Sequence, residues 1–170
     1  IAGTSSGIEP LFALCYTRTV LDGAELEEVN PLFVAALERH HLPVERIVDE
    51  VAATGSAQSV AAVPPELRRL FQTALDVPPE WHVRVQAAVQ QHTDNGVSKT
   101  VNLPAAATAE DVRATFDLAW RLRCKGVTVF RYGSRGEQVL HLGRIPAFVS
   151  GPDRARAHAE YAGECRLCSV

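Results

Sequence analysis

The apolar pattern changes period several times along the chain, and Pro or Gly punctuates most of the changes. Residues 1–10, IAGTSSGIEP, are small and hydroxyl-rich and read as a loop. LFALCYTRTV (11–20) is apolar, with aromatic and β-branched residues, and predicts a buried strand. Asp22-Gly23 is a turn signal. Leu26, Val29, Phe33, Leu37 and His40 fall about one face at helical spacing. Pro31 lies inside that stretch, so the helix should start near Asn30 with Pro31 at its first position. Pro43 opens a second helix over 44–53, which Thr54-Gly55-Ser56 ends. Pro64-Pro65 starts a third, with Leu67, Leu70, Phe71, Ala74 and Leu75 on its apolar face. Pro78-Pro79 starts a fourth, with Trp81, Val85, Ala88 and Val89, running into Gln91-His92.

Asp94-Asn95-Gly96 breaks the fourth helix, and VSKTVNLP (97–104) predicts a short strand stopped by Pro104. Thr108 is a good N-cap with Asp111 at N3 and Glu110 beside it, a cap worth about 1 kcal/mol. The helix it opens should bury Val112, Phe116, Ala119 and Trp120, with Leu122 at the edge and Arg123 in the last turn. Lys125-Gly126 suits its end. VTVFRY (127–132) predicts a strand, and Gly133-Ser134 a turn. The order strand, long helical insertion, strand, helix, strand is an α/β pattern. Residues 97–127 suit a right-handed βαβ crossover. Beyond Gly133 the periodicity fades, and 151–170 predicts a mobile tail or a short helix over 153–161.

Composition narrows the function classes. The 170 residues are 46% hydrophobic and 22% charged, with a net charge of −3, so a broad basic face for a nucleic-acid polymer is not indicated. No apolar run approaches the roughly 20 residues that span a bilayer, and no secretory signal is visible. A cytoplasmic location is expected. The chain contains no methionine, which predicts a fragment or processed product.

Of the four cysteines, Cys165 and Cys168 form a C-x-x-C. Two thiols at this spacing can close a small disulfide, and a neighbouring cation such as Arg166 can lower a thiol pKa below about 8.5. If the chain is flexible from Gly151, Cys165 has an r.m.s. reach of roughly 20 Å and a maximum near roughly 48 Å. Such a pair can enter a cleft, exchange with a buried disulfide and swing out to an external reductant. The competing readings are half a zinc site, with only His141 and His158 nearby, or no role.

Two further segments offer anion chemistry. Thr4-Ser5-Ser6-Gly7-Ile8-Glu9-Pro10 presents hydroxyls, N–H groups and a carboxylate that can hold phosphate or ribose; a capped turn is the plainer reading. Asp94 to Thr100 places Lys99 between Ser98 and Thr100, an anion contact or an edge strand with a solvated Lys99. Cys15 and Cys124 read as structural, although Arg123 and Lys125 flank Cys124. His40-His41, His82 and His92 show no metal-ligand pairing and read as ordinary; Trp81 and Trp120 read as core.

IAGTSSGIEPLFAL, then TALDVPPEWHVRVQAAVQQHTDNGVSKTVNLP, then ATAEDVRATFDLAWRLRCKGVTVFRYGSR resemble successive blocks of adenosylcobalamin-dependent (class II) ribonucleotide reductases. The resemblance covers about residues 1–140, and HTDNGVSKTVNLP is its most specific part. It implies the C-terminal portion of a ten-stranded α/β barrel over 1–140 and a flexible tail over 141–170. It implies a ribonucleotide substrate, reduced to the 2′-deoxyribonucleotide by a cobalamin-initiated thiyl radical. Thr4, Ser5, Ser6, Gly7, Glu9, Ser98 and Lys99 would then be substrate-binding. Cys165 and Cys168 would re-reduce an active-site disulfide, with a thioredoxin-like reductant behind them.

The family's Pro-Thr-Gly-Thr-Ile-Ser phosphate stretch and its radical-cysteine finger loop are absent. A missing N-terminal portion is therefore the expected partner, no protein metal site is expected, and the isolated chain is expected to be inactive. The sequence departs from the family's Tyr-Arg-Asp-Gly-Ser-Arg at Phe130-Arg131-Tyr132-Gly133-Ser134-Arg135, which puts any contact of that Asp in doubt. A small thiol-disulfide or zinc-binding module, or a purely structural adaptor, would explain the tail without nucleotide chemistry.

Overall fold

The computed structural model describes residues 7–19, 25–134, 140–142 and 154–156. They divide into two compact units. The first is built on Ala13–Gln72, joined by the two late strands. The second is built on 7–12 and 73–134.

In the first unit, β1 (Cys15–Thr19) pairs antiparallel with β2 (Glu25–Val29), Cys15 opposite Val29 and Tyr16 opposite Glu28. Tyr16 donates its hydroxyl to Glu28 Oε2 at 2.5 Å across that pair. Helices α1 (Pro31–Arg39), α2 (Val44–Thr54) and α3 (Pro65–Leu70) follow. Leu14, Cys15, Phe33, Leu37, Ile47, Val51, Val63 and Phe71 form the core, with Phe33 and Phe71 edge to face at 5.1 Å.

The second unit runs α4 (Pro79–Gln90), β3 (Thr100–Leu103), α5 (Ala109–Arg121) and β4 (Thr128–Arg131). Strands β3 and β4 are parallel, Thr100 opposite Thr128, and α5 is the crossover that parallel pairing requires. Val83, Val101, Leu103 and Ala119 form its core. In the first unit's sheet, β5 (Leu140–Leu142) pairs antiparallel with β1 and β6 (Arg154–Arg156) parallel with β2, giving the order β5-β1-β2-β6.

Local chemistry accounts for the helix ends. Asn30 Oδ1 accepts the Phe33 N–H at 3.0 Å ahead of Pro31, as the sequence indicates. Gly55 closes α2 in the left-handed region at φ 77°. Thr108 and Asp111 form a reciprocal capping box, and the Thr108 hydrogen bonds hold the Asp111 carboxyl below its usual value.

Several expectations are corrected. Leu26 and Val29 belong to a strand, because extended pairing with β1 continues to Asn30, which Pro31 also holds extended. Leu11 to Leu14 precede β1 rather than lie in it, and Leu11 bridges Thr73. The third helix stops at Leu70, which is 68% exposed, so Ala74 and Leu75 lie beyond it. Trp81, Phe116 and Trp120 are exposed at 53%, 48% and 83%, not core. Residues 154–156 are a strand paired with β2, against both the mobile tail expected over 151–170 and the short helix expected over 153–161; the rest of that stretch lies outside the described residues.

Candidate functional site

The second unit holds a cavity of about 250 Å³ lined by Gly7, Glu9, Trp81, His82, Val85 and Lys99, among others. It brings together the two segments that sequence singled out for anion chemistry.

Three local causes build it. Gly7 takes φ 65°, a left-handed turn that suits glycine and leads the chain to Glu9. The segment behind it is pinned where Leu11 accepts the Ala74 N–H at 2.7 Å. From the other side the chain enters β3 through Lys99, which points inward at 2% exposure. Ser98 is exposed, the opposite face of an extended chain.

Glu9 joins the two segments. Its Oε2 accepts from Lys99 Nζ at 2.7 Å, and its Oε1 accepts the Thr100 N–H at 2.6 Å. The Lys99 side chain is 1% exposed and that of Glu9 is 26% exposed, so the cation is sealed and the carboxylate keeps some access to solvent. Lys99 is thus not the solvated edge lysine of the plainer reading. Its charge is engaged by Glu9.

His82 lies beside this pair, and sequence reasoning passed over it. Nε2 is 2.9 Å from the Ala74 carbonyl, so that nitrogen carries the proton and donates. Nδ1 has no hydrogen-bond partner among the described residues. Burial pushes the His82 pKa below 6.5. Lys99 adds to the lowering, while the Ala74 and Val77 backbone and Glu9 oppose it. The ring is a neutral donor–acceptor at the cavity wall.

The sequence signal for His82 was available as a stripe rather than a motif. His82, Gln86 and Gln90 recur every four residues on α4, and all three are buried. The expected apolar face faces outward instead, with Trp81 and Val85 exposed. Arg84 stands 5.7 Å over the Trp81 ring.

Cys15 is fully buried in the first core, as expected of a structural residue. Burial pushes the Cys124 thiol up from 9.0, so Arg123 and Lys125 do not make it a thiolate; the Lys125 ammonium donates to the Asp94 carbonyl. Thr4, Ser5, Ser6, Cys165 and Cys168 lie outside the described residues. Among the described residues there is no cluster of His, Cys, Asp and Glu able to hold a metal. Nor is any helix there long and apolar enough to cross a membrane.

A family model for the ribonucleotide reductase barrel domain matches residues 1–130, and the chain belongs to that family. Over 165 residues it is 44% identical to the vitamin B12-dependent ribonucleoside-diphosphate reductase of Mycobacterium tuberculosis (strain CDC 1551 / Oshkosh), covering 97% of this chain and 23% of that protein. It is 45% identical over 143 residues to the protein of the same name from Thermoplasma acidophilum, covering 84% of this chain and 18% of the relative. The chain therefore spans about a fifth of the length of these relatives. The class Id ribonucleotide reductase alpha subunit of Actinobacillus ureae shares the fold at a TM-score of 0.60 and 20% identity, over 74% of this chain and 22% of that one. The resemblance read from residues 1–140 and the reductase-type α/β fold are borne out; among the described residues the strands form two separate sheets and no closed barrel.

Proposed function

We propose that this chain is the C-terminal part of the catalytic barrel of a vitamin B12-dependent ribonucleotide reductase, with 1–140 as barrel wall and 141–170 as a redox tail. The complete enzyme converts ribonucleotides to 2′-deoxyribonucleotides in the cytoplasm. The observation that carries the reading is the 44% identity to such a reductase over 97% of the chain. The two-stranded parallel sheet supports it, because parallel strands are stable mainly inside larger covered sheets and β4 is only partly buried.

In this reading Thr4, Ser5, Ser6 and Gly7 meet the substrate phosphate with hydroxyl and N–H groups. Glu9 and Lys99 join the Gly7–Pro10 turn to the start of β3, and Ser98 is exposed on the opposite face. The N-terminal portion supplies the radical cysteine and the disulfide-forming pair.

Adenosylcobalamin, when bound to the complete enzyme, generates the radical. The cavity beside Glu9 and His82 does not fit the corrin. His82 gives Nε2 to Ala74 and is buried, and about 250 Å³ lies below the roughly 300–1,000 Å³ of drug-sized ligand sites. No step through the cofactor is assigned to this segment.

The tail completes turnover. A thiolate of Cys165 or Cys168 attacks the active-site disulfide, and the second tail thiol resolves the mixed disulfide. Two electrons and two protons pass to the active-site pair and leave a Cys165–Cys168 disulfide, which a thioredoxin-like dithiol reduces. Product formation by the complete enzyme, followed with and without adenosylcobalamin, tests the reading. Strict dependence supports it; undiminished turnover without the cofactor contradicts it.

A further inference from the structure

His82, Gln86 and Gln90 are buried at 1%, 0% and 7% exposure, on the face of α4 where apolar side chains normally pack. Each gives its hydrogen bonds to the backbone of another segment. His82 holds the Ala74 carbonyl, and Ala74 donates its own N–H to Leu11. Gln86 Nε2 donates to the carbonyls of Val97 and Gly126, both at 2.7 Å. Two carbonyl partners fix which end of that amide is nitrogen. Gln90 Nε2 donates to the carbonyls of Thr93 and Asn95 at 2.9 and 2.8 Å, and its Oε1 accepts the Val97 N–H at 3.1 Å.

Val97 is therefore gripped through both backbone groups, the N–H by Gln90 and the carbonyl by Gln86. Two residues later, Lys99 enters the interior and meets Glu9. Gln86 also ties the lead-in to β3 to Gly126, just ahead of β4.

We infer that Gln86 and Gln90 are positioning residues for substrate binding: by gripping Val97 they set Lys99, and through Glu9 they set the Gly7–Glu9 edge of the cavity. The inference rests on the reductase reading. It adds residues on a separate helix, which touch neither substrate nor cofactor, to the determinants of affinity.

The test is steady-state kinetics of the complete reductase carrying Gln90→Met or Gln86→Met. Methionine keeps the length and removes the hydrogen bonds. The expected result is a KM for ribonucleotide raised about tenfold, with kcat within about threefold, and little further rise when Lys99→Met is added. An unchanged KM in a folded variant overturns the inference, as does a KM effect that multiplies independently with that of Lys99→Met. A merely structural role would lower kcat with the active fraction and leave KM alone.

Should both variants fail to fold, Gln90→Asn, which keeps the amide and shortens its reach, is read by the same kinetics: a raised KM supports the inference and an unchanged KM overturns it. Failure of the unmodified enzyme to reduce ribonucleotides would instead remove the reductase reading, a result that a change in KM cannot mimic.

Discussion

Lys99 and Glu9 lie 90 positions apart in the chain and form an ion pair of 2.7 Å, with the cation 1% and the carboxylate 26% exposed. The pair is lopsided, and so are the expected losses. Glu9→Ala strands a buried ammonium and frees the Thr100 N–H, which should cost about 3–5 kcal/mol. Lys99→Met fills the same space and leaves Glu9 with partial solvent access and its bond to Thr100, so it should cost less. Denaturant unfolding of the two variants checks the order, and equal losses would count against this geometry.

His82 sets an acid limit. Its folded pKa lies below 6.5, so as pH falls the unfolded chain takes up the proton first. The contribution to stability is complete above about pH 6.5 and is lost as pH falls from there through the folded value. His82→Gln keeps a donor for Ala74 and cannot titrate in this range. Its unfolding midpoint should fall less between pH 7 and 5 than that of the unmodified chain. Parallel pH profiles would remove His82 from this role.

Much of the architecture is visible in the residues themselves, because it follows from local chemistry. Asn30-Pro31, Gly55 and the Thr108/Asp111 box each act over a few residues, and each stands where the sequence places it. The parallel β3–β4 pair follows from a strand–helix–strand order. The readings that failed needed tertiary information. Leu26 and Val29 match helical spacing as well as a strand, and pairing with β1 decides. On α4 the hydrophobicity rule holds only for Val83 and Ala87, because His82, Gln86 and Gln90 find backbone partners inside while Trp81 and Val85 face out. For the same reason Glu9 and Lys99 were each visible as candidates, but their contact with one another was not.

Trp120 tests the corrected face of α5. At 83% exposure it contributes little packing in this chain, and Trp120→Ser should change the stability of the isolated chain by no more than about 0.5 kcal/mol. Ala119→Asp, one residue away and 3% exposed, should be severely destabilising. Thermal unfolding of the two variants distinguishes them, and a large loss at Trp120 would restore the core reading.

The tail reading separates two reductants. In the complete enzyme, Cys165→Ser and Cys168→Ser should each abolish multiple turnovers driven by a thioredoxin-like protein. Turnover with a small dithiol that enters the site directly should survive. Stoichiometric zinc that is lost in Cys165→Ser would favour the metal-binding alternative.

Most direct is a product assay in which this chain is supplied alone, and then together with the N-terminal portion of the reductase, with adenosylcobalamin and a ribonucleotide present both times. A segment of barrel wall yields no deoxyribonucleotide by itself and supports its formation once the remainder is present. Deoxyribonucleotide from the chain alone, or none from the reconstituted enzyme when an intact relative is active under the same conditions, would contradict the account.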